Sequence, residues 1–407
     1  MAMVATAAGP TLPSVAADDD PPPLGIGLPD LPETRHTTEV APGITHTTIE
    51  RGLPLEDPDE IPTTQTGPWV VNVLTIDPDV ADGRMAVTDG PTLADTETVQ
   101  DLAAYSGALA AINSSFFTFT GDPDYPGDAG GLTIRGGRVV SEPSLTQERE
   151  VDLIFDSRTN RMRITSTTWR GTVTMDSGTT LTLDRLNHRP VVPQECTDLA
   201  DQTECDVPGE LVRFHDDFAA ETPPGHGVEV VFDDNNCVVA VHQERGTALR
   251  PGQTSVQATG SDAAELAALG EGGGCGTAQD RVYDDQGRRI PLTPHTWAVT
   301  GRVPLVADGH SVVPDSDDSF FGRHPRTFVG KTADGSWMFV VVDGRALTSV
   351  GATLDECARI ALDLGMVDAI NLDGGGSTTM VIGGELINRP STDGKQRKVG
   401  DALVWLP

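Results

Sequence analysis

Apolar residues fall in short runs along this chain rather than in helical stripes. Residues 69–76, Trp-Val-Val-Asn-Val-Leu-Thr-Ile, form a continuous β-branched run ended by Asp77-Pro78, which predicts a buried strand. Residues 95–106 place Val99, Leu102 and Ala103 at helical spacing, with Gly107 as the C-terminal cap. A strand over 108–112 then runs into Asn113-Ser114-Ser115-Phe116-Phe117. The same order returns near the end, where residues 353–364 are helical, Gly365 closes the helix and 366–372 form a strand. Both strands end in Ala-Ile-Asn. The echo predicts two helix-Gly-strand units that bring Asn113 and Asn371 to strand ends as neighbours in one sheet, unless two buried strands merely look alike. Strand parity puts Asn371 and Asp373 on one face, with Ile370 and Leu372 turned to the other.

Between about 150 and 300 the pattern is of short alternating segments, such as 228–232 and 237–241, separated by Asp, Asn and Gly turns and interrupted by one short helix over 261–269 capped by Gly270. Residues 1–42 are rich in Pro, Ala, Asp and Thr without periodicity and read as a flexible leader, a trimmed signal remnant in which Ser14-Val15-Ala16 resembles a cleavage site. The expected fold class is α+β. A mixed β-sheet core with a few flanking helices spans 43–407, and 157–295 form a β-rich insertion or subdomain within it.

Composition narrows the function. A formal charge of −33 and only three lysines, with no basic patch, argue against nucleic-acid binding. No run approaches a membrane span. Of the five cysteines, Cys196 with Cys205 and Cys237 with Cys275 are the expected disulfides, since neither CxxC nor a His at ligand spacing suggests zinc. Cys357 lies in a helical pattern and is expected to be a buried apolar group. Together these features predict a secreted, extracellular protein.

The chemistry concentrates in two segments. Residues 371–380, NLDGGGSTTM, set a carboxylate against three glycines between two β-prone runs, which excludes a P-loop and a nucleophile elbow. Two readings stay open here: a tight hairpin, or a strand end whose Asp373, exposed amides of Gly374, Gly375 and Gly376, and hydroxyls of Ser377 and Thr378 hold a phosphate or sugar. The second segment, Arg323-His324-Pro325-Arg326, packs cations ahead of a strand and suits bidentate phosphate binding. Glu356 has the capping-box spacing from Thr353, so a cap competes with a catalytic role. Asp-rich loops at 77–83 and 122–128 raise calcium as an optional ligand, although neither has the EF-hand register. No cofactor is required, and any metal is unassigned.

These segments occur in the order and spacing of the phosphodiester glycosidase family. Asn113 to Phe117, residues 131–140, Arg323 to Gly330, Val341 to Arg345, residues 353–365, NLDGGGST, Asn388 to Asp393 and Arg397 to Ala402 resemble its successive motifs across about 44–407. Family members commonly carry two glycines at Ser114 and Ser115. The family includes the lysosomal uncovering enzyme, which removes N-acetylglucosamine from a phosphodiester on mannose. The resemblance implies hydrolysis of a sugar-1-phosphodiester at the anomeric carbon, here on a bacterial glycan or glycoconjugate. It implies Asp373 as nucleophile or general base, with Asp343 and Glu356 as further acids and Arg326 as phosphate clamp. Asn113 and Asn371 would orient sugar hydroxyls, with Phe117, Arg323 and His324 completing the binding residues. The other expectations are a glycan-binding or envelope-associated protein without turnover, or an α-glycosidase acting on neutral polysaccharide.

Overall fold

The computed structural model describes residues 21–144 and 149–407. The cleavage-site residues Ser14 to Ala16 lie outside them. Strands dominate, joined by three α-helices: α1 (Val99–Ser106), α2 (Asp262–Gly272) and α3 (Leu354–Asp363).

An eight-stranded sheet forms the spine, in the order Glu33–Ala41, Ile44–Arg51, Trp69–Ile76, Trp337–Val342, Arg326–Thr332, Met366–Asn371, Pro304–Ala307, His310–Ser311. Its central strands are apolar on both faces because each face is covered. Val71, Val73, Phe328, Val340, Val342 and Ala369 pack against Leu354, Cys357, Ile360 and Ala361 of α3. Leu74, Ile76, Phe339, Val341 and Ile370 turn the other way, onto two five-stranded sheets. One of these has the order Glu385–Leu386, Met380–Ile382, Ala110–Asn113, Ala402–Leu406, Arg84–Thr88, and α1 lies against it. The other has the order Arg138–Ser141, Thr133–Arg135, Thr296–Arg302, Glu150–Asp156, Arg161–Thr165.

Every pairing in the spine is antiparallel, so the expected mixed sheet is not found. The parallel pairing among the described residues is Arg185–Leu186 beside Val212–Arg213. The helices cap and flank the sheets and do not serve as parallel crossovers. The strands ending at Asn113 and Asn371 are likewise not neighbours in one sheet. They lie in separate layers, and Ile112 and Ile370 meet in the core between them.

Residues 24–41, expected to be part of a flexible leader, are docked on the fold. Leu24, Ile26 and Leu31 are buried beside Trp69, and residues 33–41 form the first strand. The buried Arg51 guanidinium, which donates to the carbonyls of Ile26, Leu28 and Leu31, holds this segment down. A Pro-rich stretch without periodicity can still dock when its few apolar residues and carbonyls have partners.

Residues 167–290 supply two further sheets around α2, with their own apolar core of Val173, Leu183, Val230, Val256 and Leu266. The disulfides are Cys196–Cys205 and Cys237–Cys275, and Cys357 is a free, buried thiol pushed up to about 12 by burial. Among the described residues, no helix is long and apolar enough to cross a membrane.

Candidate active site

The chain leaves the spine at Asn371 and joins the flanking sheet at Met380. The glycines therefore form a crossover between two layers, and the hairpin alternative is excluded. A short 3₁₀ turn over Gly375–Ser377 makes the bend.

Asn113 rivets this crossover. Its Nδ2 donates to the Asp373 carbonyl at 2.6 Å, while its Oδ1 accepts from Thr327 Oγ1 at 2.7 Å and the Thr379 amide at 3.1 Å. The Asp373 amide in turn donates to the Ser114 carbonyl. Asn113 is fully buried and positions Asp373, so its amide is not free for a sugar. Asn371 has a similar task. Its Nδ2 donates to the Arg302 carbonyl at 3.1 Å and its amide to the Val303 carbonyl, fixing a bend where Val303, a β-branched residue, stands at φ 67°. The bend aims Arg302 at the site.

Asp373 is partly buried, and burial pushes its carboxyl up to about 6 against the pull of the Ser377 side chain, the Gly374 amide, Arg397 and Arg302. Each glycine after it is pressed by a neighbour. Gly374 lies under the Pro325 carbonyl. Gly375, at φ 61°, lies against the Arg345 guanidinium, and a Cβ on Gly376 would overlap that of Arg397. An amide cradle is not what the glycines build, because the Gly374 amide donates to Asp373 Oδ1 and the Gly375 amide to the Pro325 carbonyl. They open room for two arginines. Ser377 and Thr378 are buried beneath the turn, and Thr378 Oγ1 has no hydrogen-bond partner.

Arg345 and Arg397 make no ion pair among the described residues, and the neighbouring Arg397 charge adds to burial in lowering the pKa of Arg345. Arg345 itself sits at φ 59°. Two like charges held together without an acid between them form a ready anion site. Arg302 supplies a third cation. It stacks 4.1 Å from the Phe116 ring centroid and lies in the fields of Asp373 and Glu150. Burial pushes Glu150 up to about 7, although the Leu132 and Ser144 amides donate to it.

Although Pro325 and His324 touch this centre, the guanidinium groups of Arg323 and Arg326 are taken up elsewhere. Arg326 shares the strand face of Phe328, which looks onto α3, whereas Thr327 looks toward Asn113. Its guanidinium is buried, donating to the carbonyls of Ala352, Phe320 and Gly322, so it is no phosphate clamp. Arg323 is spent on Glu356 at 2.7 Å and stacks on Trp69. His324 bridges the Ser319 carbonyl and Arg345, and burial lowers its pKa, keeping the ring neutral at pH 7.

Glu356 closes the capping box with Thr353, so both its oxygens are occupied and it is not a catalytic acid. Asp343 is buried and raised by that burial, and it accepts from Asn388 Nδ2 and the Arg389 amide. It sits at the edge of a cavity of about 100 Å³ beside Arg345. Phe117 packs edge-on to Phe119 and lines a separate cleft of about 460 Å³ that also holds Arg302.

Ser114 and Ser115 both donate to Asp401, which also pairs with Arg135. In the calcium candidate at 122–128, Asp122 and Asp124 bind Arg189, and Asp128 binds His188. No group of three or more His, Cys, Asp or Glu is placed to hold a metal among the described residues. Arg345 and Arg397 lie in segments that the sequence marks, VVVDGR and RKVGDA. Arg302 follows Gly301 at a strand end with no further signal, and Glu150 has none.

Three comparisons bear on this geometry. The phosphodiester glycosidase family profile matches residues 226–406. An uncharacterized SPbeta prophage-derived protein of Bacillus subtilis, YomE, is 41% identical over 82 residues, 20% of this chain and 13% of that protein. The N-acetylglucosamine-1-phosphodiester alpha-N-acetylglucosaminidase of Bos taurus is 44% identical over 66 residues, 16% of this chain and 12% of its own length. The chain thus matches only a small part of either relative. A crystal structure from Burkholderia pseudomallei K96243 superposes with a TM-score of 0.78 at 24% identity over 95% of this chain and 98% of its own, a likeness of fold alone. Residues 226–406, which hold Asp373 and the three arginines around it, therefore carry the phosphodiester glycosidase signature that the order of motifs implied.

Proposed function

We propose that this chain is a hydrolase that cleaves a sugar-1-phosphodiester between the anomeric carbon and the phosphate oxygen, with a bacterial glycan or glycoconjugate as substrate. The observation that carries this reading is the arrangement of one carboxyl, Asp373, beside two arginines that lack acid partners, Arg345 and Arg397. A phosphate leaving group departs as a stable anion and needs little proton donation. The main demands are to stabilise developing positive charge on the sugar and negative charge on the departing oxygen.

Asp373 meets the first demand. With a pKa of about 6 it is ionised at neutral pH, and it faces the anomeric carbon as nucleophile or as base toward water. Arg345 and Arg397 meet the second. Arg302, backed by Glu150, sits on the sugar side. Water adds to the anomeric carbon, its proton goes to solvent or to Asp373, and the carbon–oxygen electron pair leaves on the phosphate. The two disulfides support action in an oxidising, extracellular compartment.

Incubation with a panel of sugar-1-phosphodiesters, followed by measurement of reducing sugar, tests the proposal. Release by the native chain and its loss in Asp373→Asn are expected. Equal release from neutral glycosides without phosphate, or full activity in Asp373→Asn, would overturn it.

A further inference from the structure

The cleft of about 460 Å³ is lined by Arg302, Phe117, Gly131 and Arg189 among others. It lies within the range of roughly 300–1,000 Å³ typical of clefts that enclose whole ligands, and one pyranose ring does not fill it. Its wall chemistry differs from that at the glycine turn. There the cations lack ion pairs, whereas here three of the four, Arg185, His188 and Arg189, are matched and only Arg302 is not. Arg185 pairs with Glu142 at 3.1 Å, and His188 with Asp128 at 2.6 Å and Glu142 at 3.3 Å. Arg189 pairs with Asp122 at 2.6 Å.

Burial opposes charge on His188, but its two carboxylates outweigh that and push it up to about 10, so the triad is a fixed ion cluster at neutral pH. Asp128, Glu142 and His188 are each more than nine-tenths buried, so this wall is rigid. Beyond Arg302, a bare anion would find every cation already neutralised. A hydroxyl group, donor and acceptor at once, finds both kinds of partner at each step along the wall.

Resting on the reaction proposed above, we infer that this cleft is an extended carbohydrate subsite. It takes the sugar units beyond the one at Asp373, so the preferred substrate is an oligosaccharide bearing the phosphodiester at its reducing end. Arg302, shared by the cleft and the Asp373 centre, marks the join between the first ring and the next.

The test compares kcat/KM for a monosaccharide-1-phosphodiester and a disaccharide-1-phosphodiester with the same aglycone. The native chain should favour the disaccharide by about tenfold or more, and Asp122→Asn and Arg189→Ala should each bring that ratio toward one. Binding of the neutral disaccharide, followed by saturation-transfer NMR, gives a readout independent of turnover. It should be present in the native chain and in Asp373→Asn and weakened in both cleft variants. Binding without hydrolysis would sustain the subsite and remove the hydrolase reading. Hydrolysis with a ratio near one, or binding that survives in both cleft variants, would remove the subsite and leave the reaction intact.

Discussion

Two groups of arginines lie within a few residues of the same glycine turn and do opposite work. Arg323 and Arg326 are saturated, one by Glu356 and an aromatic face, the other by three backbone carbonyls. Arg345 and Arg397 border the turn without an acid partner. The first pair holds segments together, whereas the second meets only ring neighbours, His324 for Arg345 and Phe119 for Arg397, and has no ion pair among the described residues. Density of charge along a sequence therefore does not identify a binding site, because what matters is whether each charge is already used.

The largest expected effect falls on the chemistry. Asp373→Asn should lower kcat by about 10²–10⁴ with an unchanged circular dichroism spectrum. The saturated pair should respond in stability instead. Arg326→Ala strands three carbonyls and opens a void, so denaturant unfolding should show a loss of about 3–5 kcal/mol. Arg397→Ala should do the reverse, lowering kcat/KM about 10–100-fold while the melting temperature barely moves. A matched loss of both quantities in the two variants would erase the distinction.

The pH dependence sharpens it further. Burial raises Asp373 to about 6 in the fold from the ordinary aspartate value of 3.8. The folded state thus holds a proton that the unfolded chain has released across the window from about 4 to 6, and stability falls as pH rises through it. Activity should instead rise with an apparent midpoint near 6 as the carboxylate forms. Asp373→Asn should consequently be more stable than the native chain at pH 8, by up to about 3 kcal/mol, and indistinguishable from it near pH 3. The smallest effect concerns Ser115. Replacing it with the glycine common in the family removes the hydroxyl bond to Asp401 and should cost about 1 kcal/mol in thermal unfolding.

Much of this was legible beforehand because it depends on local pattern. The run at 69–76, the cap at Gly107, the Thr353–Glu356 capping box and the Cys196–Cys205 disulfide follow from near neighbours in the chain. The acid at Asp373 was also marked, by its strand end and glycines. The partners of that acid were not. Adjacency to Arg323 and His324 suggests an anion site at Arg326, but strand parity counted back from Phe328 turns its side chain toward α3. Glu150 and Arg302 come together with Asp373 only through pairing between strands far apart in sequence, and no local period reports that. The role of Asn113 is illegible for a related reason. A buried amide with three backbone segments in reach is consumed by them.

Asn113 also bears on how such a protein can be divided. The segment that matches the family profile begins at residue 226, yet the side chain that grips the Asp373 carbonyl comes from a strand more than a hundred positions earlier. A fragment starting at 226 would keep the acid and lose its anchor. The unit that holds Asp373 in place is defined by that cross-layer clasp and extends beyond the residues that match the profile.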